Sequence, residues 1–493
     1  MKIYHVLLLI LCTACSNVLK LPTDVVKSDK VLTIVPDYTD LTIPCNIAPM
    51  NFRVDGEWDE VLLQLKVGND NILLLADKKG NILFDALEWQ QWLARCKGKS
   101  LHYTIYTLKN KQWTQWPAFT NSVAADTIDP YLCYRLIEPG YQLYGRMGIY
   151  QRNLTSFEER AVYETDYSSE SHCINCHAFQ QGRTDKMLFH VRNNYAGTVV
   201  VNGSIINKIN TKADSLWGAA VYPAWHPTQN KVAFSMNKTG QLFHLTGEEK
   251  IEVIDEASGL VIYDVDKQEI ALIRDEAEVL ENNPAWNPTG DTLYYTAARI
   301  DSQKIHDAKP TAYYNELRYD IMCMPYDKSL DRFGQPDTLF PASRLNKSVS
   351  FPRISPDGRY LLFAMAEYGQ FHIWHKTADL YMLDFKDKTI RPLDKANSND
   401  AESYHAWSSN SRWFVFSSRR DDGTYTRPYF AYIDREGRES KAFVLPVEKP
   451  EQHLLNCRSY NVPELIAQPI VHSQEEFKEV VQGQQAIPLR YKP

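Results

Sequence analysis

Apolar and polar positions fall into short runs with a period of two along most of the chain, the pattern of half-buried strands. Residues 61–67 and 71–76 read as two such strands, with a turn over residues 78–81 after the second. The period then changes. Over residues 85–95, Ala86, Trp89 and Leu93 share one helical face, and Asp85 stands where an N-cap belongs. Residues 101–106 alternate again. This succession predicts a small β-sandwich-like domain over residues 45–130 with one short helix. Its Trp113 and Trp116 either close the end of the β core or stack on a ligand such as a sugar.

Beyond residue 173 the hydrophobic pattern repeats. Tyr222-Pro223-Ala224-Trp225-His226-Pro227 runs into an apolar strand at 231–235. Asn283-Pro284-Ala285-Trp286-Asn287-Pro288-Thr289-Gly290 runs into another at 292–295. Phe351-Pro352-Arg353-Ile354-Ser355-Pro356-Asp357-Gly358 leads to 360–363, and Tyr404-His405-Ala406-Trp407-Ser408 leads to 413–417. Several units carry a later strand ending at aspartate: Asp264, Asp384 and Asp434. These units resemble the propeller repeats of the TolB family, whose pattern is Pro-Ala-Trp-Ser-Pro-Asp-Gly; Ser355 to Gly358 match it letter for letter. The resemblance covers roughly residues 215–445 and implies a mainly β fold, a TolB-like β-propeller of five to six blades following the N-terminal domain, with any sixth blade to come from residues 131–172 or from the C-terminal part. Propellers host many functions, so the fold alone assigns none.

The candidate chemistry lies at Cys173-Ile174-Asn175-Cys176-His177. Two cysteines two residues apart, followed at once by histidine, form the attachment signature of one c-type haem. Cys173 and Cys176 supply thioether bonds, and His177 is placed to be the proximal axial ligand. The competing readings are dithiol redox chemistry or half of a zinc site. Neither needs the adjacent histidine, and a zinc site needs a second ligand pair. The motif also fits the repeat template: Ala178 falls on Ala224 and Phe179 on Trp225, so it is expected in the loop leading into a blade, at one mouth of the channel. The same alignment sets His405 equivalent to His177. His405 is therefore the candidate distal ligand, with His172, His190, His226 and Met187 as rivals. Arg353 and Arg419 are candidates for holding the haem propionates, because guanidinium pairs well with carboxylate.

Charge and composition narrow the class. A formal charge of −7 over 493 residues gives no sign of a nucleic-acid partner, and the length suggests two or three domains. Export is indicated at the start. Met1-Lys2, a short apolar run from Val6 to Leu11 and Thr13-Ala14-Cys15 resemble a bacterial lipoprotein signal over residues 1–14, departing from the lipobox pattern at Cys12. The resemblance implies a lipidated Cys15 and a chain anchored to a membrane of the cell envelope. Of the nine cysteines, Cys45, Cys96, Cys133, Cys323 and Cys457 have no assigned role. They are odd in number and scattered, which excludes a disulfide-built scaffold. The remaining boundaries are a tether over residues 15–44, a Tyr-rich connector over 131–172 (Tyr131, Tyr134, Tyr141, Tyr144, Tyr150, Tyr163 and Tyr167), the propeller with its haem motif over 173–460, and a loosely packed polar tail over 461–493.

As a whole the chain resembles lipoproteins of the Bacteroidetes group that join a single haem motif to a TolB-like propeller. In that group an acidic tract after the lipidated cysteine accompanies surface export. Ser16-Asn17-Val18-Leu19-Lys20 stands here instead, which favours a periplasm-facing anchor. The resemblance implies electron transfer with a redox partner such as another cytochrome or a reductase. The alternatives are a propeller that binds protein or glycan with a structural or sensory haem, thiol chemistry at Cys173 and Cys176, and peroxidase-like chemistry at an open sixth site. No nucleophile elbow, zinc helix motif or phosphate loop is present.

Overall fold

A computed structural model describes residues 19–138, 146–165, 172–246, 249–301 and 313–493. The lipoprotein signal with Cys12 and Cys15, and Tyr141, Tyr144 and Tyr167 of the Tyr-rich stretch, lie outside the described residues. Among the described residues no helix is long and apolar enough to cross a membrane.

The fold is mainly β. Six antiparallel blades form a ring, and a small β domain sits on its flank. Blade two begins with the inner strand His172–Gln180, blade three with Ala220–Trp225, blade four with Val279–Trp286, blade five with Ser348–Ile354 and blade six with Glu402–Trp407. Blade one is built from both ends of the ring. Its inner strand is Ser459–Ile466, and its outer strands are Tyr131–Ile137, Met147–Asn153 and Glu159–Glu164. The inner strands neighbour one another in the order two, three, four, five, six, one, so Ser459–Ile466 closes the ring against blades six and two.

Two expectations are corrected here. The Tyr-rich stretch 131–172 is no connector: it supplies three strands of blade one and the first residue of blade two. Tyr131–Ile137 is a nearly continuous apolar and aromatic run that makes a strand buried on both faces, with Leu132, Cys133 and Tyr134 all fully buried. Nor is 461–493 a loose tail. Its residues 461–466 belong to the closing strand, and Ile487–Pro488 and Arg490–Lys492 add parallel edge strands to blades two and three. Between them the helix Gln474–Lys478, with a capping box at Ser473 and Glu476, buries Phe477 against Phe189 of blade two.

The N-terminal domain has a seven-stranded sheet, a three-stranded sheet and the helix Ala86–Arg95. Asp85 caps that helix by accepting from the backbone N–H of Leu87 and Glu88, and Trp89 and Leu93 are fully buried. The supposed tether 15–44 is part of this domain as far as it is described. Val25–Lys27 pairs with Gln112–Gln115, and Thr42–Ile43 pairs with Phe119–Val123. The domain docks on blade six through one continuous core that includes Tyr38, Phe52, Trp413 and Phe443. Polar contacts fix the docking: Trp413 Nε1 donates to the Asp126 carbonyl at 3.2 Å, and Tyr432 donates to Asp126 Oδ2 at 2.6 Å. Trp116 lies 5.8 Å from Trp58 ring to ring and donates its Nε1 to Thr107, so it closes the end of the sheet. All seven described cysteines are free thiols.

Candidate functional site

Every inner strand carries one β-bulge at the same level. The residue at the bulge has left-handed backbone: Cys176 (φ 52°), Tyr222 (48°), Asn283 (51°), Phe351 (53°), Tyr404 (50°) and Val462 (48°). Ladder pairing skips this residue and the next in each blade, as between Asn175 and Ala178 in blade two and between Ser403 and Ala406 in blade six. The next residue therefore makes no ladder hydrogen bond, which suits proline. Four blades have it: Pro223, Pro284, Pro352 and Pro463. The other two have His177 and His405. The equivalence read from the sequence thus holds residue for residue, but the motif does not occupy a loop leading into the blade. It lies inside the inner strand itself, because the bulge lets the strand run through the motif unbroken.

A cavity of about 1210 Å³ is lined by the inner strands of the ring and extends along outer strands of blades two and three. It exceeds the roughly 300–1,000 Å³ of most small-molecule pockets. Cys173, Cys176 and His177 line it, together with Tyr222, Trp225, Trp286, Tyr404 and Trp407. The connection after the second strand of blade five closes part of the channel, where Phe371, Ile373 and Trp374 pack on Phe351 and Tyr404.

Strand alternation sorts the motif by face. Ile174 and Phe179 join the core shared with blade one, and Ala178 joins the core shared with blade three. The His177 ring lies 6.0 Å from Phe179, on the blade-one face. Cys173 and Asn175 are paired across from Arg192 and His190, on the blade-three face. Cys176, at the bulge, lines the axial channel with Tyr222 and Tyr404.

His177 is 2% exposed; the Val462 backbone lies near its ring, but neither ring nitrogen makes a well-formed hydrogen bond. Burial, and then the Arg135 guanidinium, push its pKa down to about 3, with the Val462 backbone opposing. The imidazole is neutral and has a lone pair to offer. A buried polar atom left unpaired is costly, and two on one ring point to a group that satisfies them. The donor set, the unpaired nitrogens and the cavity volume fit a covalently held haem. Among the described residues no cluster of three or more His, Cys, Asp or Glu is placed for a bare metal ion; a porphyrin brings its own four nitrogens. The extended strand, however, turns Cys173 and His177 to opposite faces, so a proximal role for His177 requires a local turn at the Cys176 bulge.

The other candidates are placed as follows. His405 turns towards blade five, where its Nε2 meets the Leu362 carbonyl at 3.0 Å. The structure does not bring it together with His177, because each histidine leans on the blade that precedes it in the ring. His226 caps a turn, its Nδ1 accepting from Thr228 and Gln229 and its Nε2 meeting the Gly290 carbonyl. His172 meets Tyr163 Oη at 2.9 Å, and Met187 is fully buried in the blade-one-side core. Arg353 lines the cavity, its Nη1 donating to the Pro352 carbonyl. Arg419 does not. It stacks over Trp374 at 4.1 Å and donates to the Gly423 carbonyl. Arg135, unremarked in the sequence, takes its place at the cavity wall, with Nη1 on the Ile174 carbonyl and a buried Nε without a partner. Nothing in its local sequence marks it, since it sits on an outer strand brought in by ring closure.

Glu464 occupies the position held by Ala178 in blade two and Arg353 in blade five, and it also lines the cavity. Burial raises its pKa to about 7, with Arg353 opposing. A raised carboxyl pKa means the folded chain binds more protons than the unfolded one between about 4.5 and 7. Its contribution therefore favours folding at low pH and is lost as pH rises through that window. Glu464→Gln is expected to melt with the wild type near pH 4.5 and at a progressively higher temperature than it towards pH 7.5. Parallel melting temperatures across that range would refute this assignment.

No family model and no curated protein matches the chain. Among solved structures, the chain is similar to the tricorn protease (TM-score 0.36, 10% identity), matching over 87% of its own length and 36% of that chain. It is similar to the Cps50 (Swd1) β-propeller domain of Myceliophteria thermophila (TM-score 0.33, 10% identity, 65% of this chain and 88% of that one). It is also similar to the Niastella koreensis GH74 enzyme (TM-score 0.36, 12% identity, 63% of this chain and 44% of that one). The chain spans about a third of the tricorn protease.

Proposed function

We propose that this protein is a monohaem c-type cytochrome on a six-bladed β-propeller, acting in electron transfer with a partner protein. The observation that carries the reading is the Cys173-Ile174-Asn175-Cys176-His177 motif on the wall of the axial cavity, with both nitrogens of a buried His177 unpaired. Cys173 and Cys176 hold the haem, His177 offers its imidazole, and Arg135 and Arg353 face its carboxylates. Bound there, haem supplies a one-electron iron couple. The chain's own part is to hold the imidazole unprotonated and to wall the channel with aromatic rings. A single haem conducts over a short range, so a second redox protein is its partner. The export signal, with Cys15 as its lipidated residue, supports a lipid-anchored protein of the bacterial envelope facing the periplasm.

A second reading is favoured by the cavity itself. Its volume and its walls of Tyr222, Trp225, Trp286, Tyr404 and Trp407 suit a binding module whose haem is structural or sensory. The two readings part on the iron's behaviour. Protein matured in a host competent for c-type haem attachment is expected to show a reversible reduced-minus-oxidised haem spectrum of low-spin type. A haem that cannot be cycled, or one that is high-spin and binds added ligand at once, would remove the electron-transfer reading.

A further inference from the structure

Among the described residues of blade two, His190 is the imidazole on the same face as Cys173. It lies on the strand Arg183–Asn193, directly across from Asn175 of the motif. Its ring is 4% exposed, lines the cavity, and stands 5.9 Å from Phe234 of blade three. Its two nitrogens have different environments. Nδ1 meets Thr198 Oγ1 at 2.7 Å, and Nε2 is buried with no partner at all. A hydroxyl that accepts from Nδ1–H fixes the tautomer and leaves the Nε2 lone pair free, which is how histidines that ligate metals are held by their outer hydrogen bond. Burial, followed by the Arg192 guanidinium, pushes its pKa down to about 3, so that lone pair is not lost to a proton near neutrality. His226 has both nitrogens engaged and His172 has its Nε2 engaged, while His405, whose Nδ1 is buried without a partner, is held by its Nε2 on the Leu362 carbonyl of blade five and not beside Cys173.

Resting on the haem reading above, we infer that His190 Nε2 is an axial ligand of the haem iron, with Thr198 as its positioning residue. The sixth ligand then comes from the second strand of the blade that carries the motif, one ladder position away, and not from another blade.

The test uses the full chain matured with haem. Wild type, His190→Ala, His190→Met and His405→Ala are compared by denaturing-gel haem stain, absorption spectrum and midpoint potential. The expected result is covalent haem in all four. His190→Ala becomes high-spin, and added imidazole restores the low-spin spectrum. His190→Met stays low-spin with a raised potential, since a thioether ligand favours ferrous iron, and it guards against a variant that fails only because it misfolds. His405→Ala is unchanged. A low-spin His190→Ala spectrum identical to wild type, with covalent haem present, overturns the inference alone. A wild type without covalent haem overturns both it and the haem reading.

Discussion

The double variant Cys173→Ser, Cys176→Ser is expected to carry no covalently bound haem while keeping the propeller intact. The thioether link consumes both thiols, and serine offers no substitute. The chemical loss is therefore complete: haem staining on a denaturing gel falls to background. The structural cost is small. Both cysteines are only partly buried and line a cavity, so replacing sulfur by oxygen opens no sealed void. Substitutions of that kind change stability by about 0.5 kcal/mol, and the melting temperature should move by a few degrees at most. Single variants retain one thioether and are expected to hold haem at reduced yield. Full staining in the double variant would show that the haem is attached elsewhere.

Removal of residues 459–493 is expected to abolish cooperative folding. The closing strand Ser459–Ile466 pairs with Tyr131–Ile137 along its length, and without it the three outer strands of blade one have no inner partner. Ile466, Phe477 and Val481 are fully buried. At about 1.5–3 kcal/mol for each buried apolar side chain, these three alone offset roughly 5–9 kcal/mol, against a total stability of about 5–15 kcal/mol for a typical domain. Loss of the strand also strands the backbone groups of Tyr131–Ile137 along an open edge. The truncated chain should lack a sigmoidal thermal transition by circular dichroism and should aggregate. A cooperative melt close to that of the full chain would contradict the closure assigned here.

The legible and illegible parts of the fold separate on physical grounds. The repeats at Trp225, Trp286, Ile354 and Trp407 were readable because each bulge demands the same local chemistry: a left-handed residue, proline or histidine, a mostly small residue, then an apolar plug. The equivalence of His177 and His405 followed from that register. Blade one was readable only as a sixth blade from either 131–172 or the C-terminal part, not as a sheet built from both. Its closing strand keeps Pro463 and the apolar Leu465 but leads into no second strand, and its partner Tyr131–Ile137 lies over 300 residues earlier. Alternation along one strand says nothing about such a distant partner. For the same reason nothing in the sequence marked Arg135, and His190 stood only as one of several rivals to His405. Arg135 reaches the cavity through ring closure, and His190 is set beside the motif by cross-strand pairing, which spacing within one strand cannot reveal. His405, at the position equivalent to His177, shows the equivalent lean towards the preceding blade, which strand register within one blade does not reveal.

Whether Cys173 and Cys176 hold haem is most directly tested by intact mass and peptide mapping of the full chain matured in a host that attaches c-type haem. The account predicts one haem per chain, carried on the peptide spanning Cys173 to His177. A chain of unmodified mass from that host, with Cys173 and Cys176 both open to alkylation, would contradict it.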